Sequence, residues 1–99
     1  MGSARLRVRH MPGHTPGHVT FYEPQLRVLF GGDLIIGTSV GRSDMPGGDE
    51  QLVASSAAET CARTPPDASV LSGHAPPVTV AWLRQHNRWC RPRAAHAEL

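Results

Sequence analysis

The sequence predicts an α/β (α+β) fold, a mixed β-sheet with flanking helices, and three observations carry that reading. Short stretches with the two-residue alternation of half-buried strands recur along the chain. A capped helical stretch separates two of these strand groups. Two apolar runs each end in glycine followed by Asp33 or His74, residue types that bind metals.

Arg5-Leu6-Arg7-Val8-Arg9 alternates strictly, which predicts a strand with Leu6 and Val8 facing inward. Pro16-Gly17 reads as a type II turn, with glycine at the position that needs a positive φ. That pair breaks any helix between His14 and His18, so His14 belongs to a loop leaving a strand and His18 opens the next element. Gly13 allows a close backbone approach. From His18 to Glu23 the alternation returns, with Val19 and Phe21 on one face and Thr20 and Tyr22 on the other. Pro24-Gln25 turns the chain into a more fully buried strand, Arg27 to Phe30. Residues 34–48 form a long glycine-rich connection, a type of segment that is often functional. Asp49 is the N-cap of a helix from Glu50 to Arg63, with Val53, Ala57 and Cys61 on one side and Pro65-Pro66 as its stop. A strand follows at Ala68 to Leu71, then a last helix from Thr79 to Asn87. Residues 1–87 read as one unit and residues 88–99 as a tail.

In open α/β sheets, functional groups gather beyond the carboxyl ends of the strands. His14, Asp33 and His74 each follow such an end, and imidazole with carboxylate suits Zn²⁺ and related first-row metals.

Gly13-His14-Thr15-Pro16-Gly17-His18, then Gly32-Asp33, then Gly41-Arg42-Ser43-Asp44-Met45-Pro46-Gly47-Gly48-Asp49, then Ser72-Gly73-His74 fall in the order seen in metallo-β-lactamase-fold hydrolases. The chain resembles that family from about Val8 to Asn87, and its third motif looks most like the hydroxyacylglutathione hydrolase (glyoxalase II) branch. The resemblance implies part of an αββα sandwich and metal-assisted hydrolysis, here of a thioester. It also implies one or two ions of zinc, iron or manganese. His14 would ligate the first metal, Asp33 would bridge the two, His74 would ligate the second, and Arg42 would contact the substrate. The family's His-x-His-x-Asp-His signature is absent from the sequence. The chain therefore corresponds to the C-terminal half of the domain. It departs from the family after His74, where Ala75-Pro76-Pro77-Val78-Thr79 and Asn87-Arg88 replace the usual residues. The glutathione-binding helical extension has no counterpart.

At 99 residues and 39% hydrophobic content the chain suffices for one small domain. A half-sandwich leaves one sheet face and one edge uncovered, which favours association. The expected partners are a small thioester or ester substrate and a complementary N-terminal half or a second copy of the chain. A net charge of +2 is too small to imply a polyanionic partner, and all ten basic residues are Arg. No run is long and apolar enough to span a membrane, and Met1 to His10 lacks the pattern of a signal peptide. Cys61 and Cys90 match neither a metal spacing nor a disulfide framework, so the expected location is cytoplasmic. His10, His18, His86 and His96 read as packing, hydrogen-bonding or solvated residues.

Two function classes follow. One is a metal-dependent hydrolase that needs an N-terminal half from elsewhere and is weak or inactive alone. The other is a non-catalytic remnant or partner-binding fragment of the same fold. Arg84, Arg88, Trp89, Arg91 and Arg93 raise a third, nucleic-acid contact, which the absence of a recognised fold disfavours.

Overall fold

The structure, a computed structural model, describes residues 6–91. β1 (Arg7–His10), β2 (Val19–Glu23), β3 (Val28–Gly32), β6 (Ser69–Ser72) and β7 (Val78–Thr79) form one sheet in the order β1-β2-β3-β6-β7. β4 (Ile35–Ile36) and β5 (Ser39–Val40) form a separate hairpin, and the helices are α1 (Glu50–Arg63) and α2 (Val80–His86). β3 and β6 run parallel, and the other pairs are antiparallel. The mixed sheet follows from the connections. Short turns join antiparallel neighbours, whereas β3 reaches its parallel neighbour only through the long segment that contains α1.

Helix α1 runs over the span expected from sequence. The Asp49 side chain accepts from Leu52 N–H at 3.0 Å, Glu50 stands in the first turn, and Thr64 closes the end before Pro65. In α2 the Thr79 hydroxyl accepts from Trp82 N–H, and Asn87 caps the other end. Arg84 donates to the Cys61 and Thr64 carbonyls, tying α2 to the C-terminal turn of α1.

One face of the sheet is covered and the other is not. The Leu29 and Val70 pair faces the helices, and each is 3% exposed. With Ala57, Cys61, Val80 and Leu83 they form the core. Directly opposed residues share a face, so Val8, Phe21, Phe30 and Leu71 make a row across the other side. Val8, Phe21 and Phe30 are 59%, 37% and 44% exposed.

This corrects the orientation expected for β1. Leu6 and Val8 lie exposed on the uncovered side, and Arg7 and Arg9 share a face with Tyr22 and Thr20. Alternation separates two faces without saying which one the rest of the chain covers. The same row corrects β3, whose Phe30 is exposed where full burial was expected.

Other details differ locally. The His18 N–H donates to the Thr15 carbonyl around Pro16-Gly17, but Gly17 has no positive φ, so the turn is not type II. Proline at the second position suits type I equally well. The long connection contains the β4–β5 hairpin, whose two-residue turn starts at Gly37 with φ of 58°. Packing continues beyond residue 87, because Cys90 is 3% exposed and Trp89 packs on the core. Cys90 and Cys61 are both buried and free, and the Cys61 neighbour together with burial pushes the Cys90 thiol up, which makes it unreactive. Among the described residues no helix is long and apolar enough to cross a membrane. Arg93 and His96 lie outside the described residues.

Candidate metal centre

The loop after β1 carries His14, and α1 holds that loop in place. Gly13 adopts φ of 135°, and a Cβ there would stand 2.3 Å from Val53 N. Only glycine allows both that φ and that approach. Asp49 N–H donates to the Gly13 carbonyl at 2.7 Å, and the Ser56 hydroxyl donates to the Pro12 carbonyl at 2.8 Å. The helix that the sequence marks so clearly therefore serves as the clamp for the first histidine.

Asp33 follows the end of β3 and His74 follows the end of β6, and parallel pairing of these strands brings the two residues together. His74 Nε2 lies 3.2 Å from Asp33 Oδ1, and His14 Nε2 lies 3.7 Å from Asp33 Oδ2. The carboxylate thus stands between two imidazoles, with a different oxygen toward each. Gly41 packs against the Asp33 carbonyl and the His14 ring, where a Cβ would meet the backbone oxygen at 2.1 Å.

Hydrogen bonds orient the rings. His14 Nδ1 lies 2.7 Å from the Arg42 carbonyl. A carbonyl only accepts, so Nδ1 carries a proton and Nε2 is the atom turned toward Asp33. That is the arrangement of a metal-ligating histidine held by a backbone partner. His18 Nε2 donates to the Gly31 carbonyl at 3.0 Å, so His18 supports the end of β3. His10 bonds the Pro16 carbonyl, and His86 stacks on Trp82 with ring centres 4.5 Å apart.

Arg42 contributes to this region in two ways. Its carbonyl orients His14, and its exposed guanidinium makes a two-pronged pair with Asp44 at 2.7 and 3.0 Å. That pair raises the Arg42 pKa and lowers that of Asp44, mainly through the shared hydrogen bonds. The five-residue basic and aromatic group is not a single free patch. Arg84 is bound to carbonyls of α1, and the Arg88 guanidinium lies 4.5 Å over the Trp89 ring.

The donor chemistry fits a metal: two imidazoles, one with Nδ1 bonded to a backbone carbonyl and Nε2 turned inward, flank one carboxylate. It fits only as part of a centre. Among the described residues no group of three or more His, Cys, Asp and Glu side chains closes around a single point.

Asn87 is a supporting residue that the sequence did not single out. It is fully buried, and its Nδ2 donates to the Gly37 and Ser39 carbonyls at 2.9 Å each. It thereby anchors the hairpin that leads into Gly41 and Arg42. Its one signal in the sequence is a polar side chain directly after an amphipathic helix.

Comparison with known proteins agrees with the fold and the motif order. The family model of the metallo-beta-lactamase superfamily matches residues 1–74. The chain belongs to that superfamily. It is 34% identical over 82 residues to the hydroxyacylglutathione hydrolase GloC of Haemophilus influenzae, covering 83% of this chain and 39% of the relative. An uncharacterised protein of Aquifex aeolicus is 39% identical over 87 residues, covering 88% of this chain and 41% of the relative. The crystal structure of the BLEG-1 B3 metallo-beta-lactamase superposes with a TM-score of 0.85 at 36% identity, covering 93% of this chain and 44% of that one. The di-iron-bound form of TTHA1623 gives 0.79 at 40% identity, covering 83% and 41%. The chain thus spans about two-fifths of the length of these curated relatives.

Proposed function

We propose that this chain supplies one half of a metal-dependent hydrolase site and acts on thioesters of the hydroxyacylglutathione type, together with a complementary half of the domain. The observation that carries this reading is the Asp33 carboxylate set between the His14 and His74 rings, with His14 locked to present Nε2. His14, Asp33 and His74 would hold the metal together with donors from the complementary half. Bound metal supplies Lewis acidity and acidifies water at neutral pH. Hydrolysis breaks the acyl carbon–sulfur bond, water giving its oxygen to the acyl group and a proton to the thiol. Arg42 would hold a carboxylate of the thiol moiety by exchanging it for Asp44, which a guanidinium fork does without change of shape.

Need for a complementary half has independent support. The missing donors belong to a signature that the sequence lacks. The apolar row Val8, Phe21 and Phe30 is the surface a second sheet would cover. Zinc, iron or manganese suits the donors equally. The chain alone is expected to be inactive or nearly so.

The test is elemental mass spectrometry of the purified chain beside an Asp33→Ala variant, which removes the carboxylate common to both imidazoles. Metal bound by the chain and lost in the variant supports the reading. No metal in either, even with a complementary half added, would leave a non-catalytic fragment of the fold.

A further inference from the structure

At the end of β3 remote from Asp33, a cleft of about 320 Å³ opens between the β1–β2 edge and the C-terminal turn of α1. Arg7 and Arg9 line it from β1, opposite Tyr22 and Thr20 of β2, with Arg27 and Arg63 also in its lining. Four arginines therefore line one concavity, and among the described residues no carboxylate lines it. Arg27 pairs with Asp67 and Arg63 with Glu59. Among the described residues neither Arg7 nor Arg9 has an ion-pair partner.

A second observation comes from the wall of the same cleft. Thr60 is 3% exposed, and its Oγ1 has no hydrogen-bond partner. Buried hydroxyls in folded proteins are almost always bonded, so an orphaned one asks for an acceptor. The helix-end carbonyls here do not compete for the arginines. Thr64 bonds the Thr60 carbonyl, and Arg84 from α2 bonds that of Cys61.

We propose that this cleft binds a small phosphate-bearing anion, gripped by Arg7 and Arg9, with Thr60, whose Oγ1 is buried just beneath the wall, donating once its side chain turns toward the ligand. Charge balance selects the ligand class. Two uncompensated guanidinium groups match a phosphoryl dianion, whereas a single carboxylate would neutralise only one. Forked donors also suit phosphate oxygens, and a concave lining focuses the positive field. The volume lies at the lower end of small-molecule sites, which suits a phosphate ester of a small metabolite. Nothing in this assignment depends on the metal centre.

Calorimetric titration of the full chain with inorganic pyrophosphate tests it, with far-ultraviolet circular dichroism confirming an unchanged fold in each variant. Saturable one-to-one binding is expected, weakened about tenfold or more in the Arg7→Ala/Arg9→Ala double variant. Thr60→Val should bind more weakly without loss of stability, since it removes an unbonded hydroxyl. Asp33→Ala should bind as the unaltered chain does. Absence of saturable binding at millimolar pyrophosphate would overturn the proposal, as would undiminished binding by the double variant. Tighter binding of a single-stranded oligonucleotide than of pyrophosphate would also overturn it, assigning the charge to a nucleic-acid backbone instead.

Discussion

The two faces of the sheet are built from adjacent residues of the same strands, yet they have opposite fates. Leu29 and Val70 are closed in by α1 and α2, while Phe30, one residue along from Leu29, remains 44% exposed. On the covered side the chain supplies its own partner layer. On the other side it presents an apolar row with no layer of its own among the described residues. A two-residue alternation marks both faces equally, so burial here is decided by which other segments are present rather than by the strand itself.

Substitutions can break or sharpen that contrast. Leu83→Ala opens a hole beneath the covered face, where the side chain is fully buried. It should cost about 2–5 kcal/mol, read by urea denaturation. Gly13→Ala sets a Cβ against Val53 N in a backbone conformation that L-residues avoid. A loss of about 1–3 kcal/mol is expected, with metal retention falling further because His14 moves with the loop. Asp49→Ala removes the α1 cap and should cost about 1 kcal/mol in the same denaturation series.

Phe30→Ser probes the open face. Stability of the chain should change by no more than about 0.5 kcal/mol, while concentration-dependent association in sedimentation velocity should fall. A large stability loss with unchanged association would mean that this face is already covered. The smallest effect concerns Asp44, whose pKa is lowered chiefly by the hydrogen bond from Arg42. A depressed carboxylate stabilises above its unfolded value and loses that contribution as pH falls through the folded one. Asp44→Asn should therefore remove a small stabilisation present at neutral pH, and the difference from the unaltered chain should vanish as pH falls below the ordinary 3.8, both groups being fully exposed.

Local signals were readable in the sequence, and signals that depend on distant segments were not. The Asp49 cap and the Pro65-Pro66 stop bound α1 because both act within one turn of the helix. His14, Asp33 and His74 were legible as a set because each stands just past a strand end, and the parallel β3–β6 pairing draws the last two together. The inward side of β1 is not legible locally, since Leu6 and Val8 look like core residues although the helices lie on the other face. The Gly37-Thr38 turn hid inside a glycine-rich stretch, although it joins Ile36 to Ser39 as a two-residue hairpin. Asn87 depends on contacts 48 and 50 positions away in the chain, and the arginine cleft joins Arg7 and Arg9 to the distant Thr60 and Arg63, which periodicity does not report.

The most direct measurement is a complementation assay. The chain is mixed with a polypeptide carrying the superfamily's His-x-His-x-Asp-His segment, and hydrolysis of a hydroxyacylglutathione thioester is followed by release of free thiol. Turnover should appear only in the mixture, and it should vanish with Asp33→Ala. Turnover by the chain alone at an equal rate, or a tight metal-loaded complex without turnover, would contradict the assignment of His14, Asp33 and His74 as half of a shared hydrolytic site.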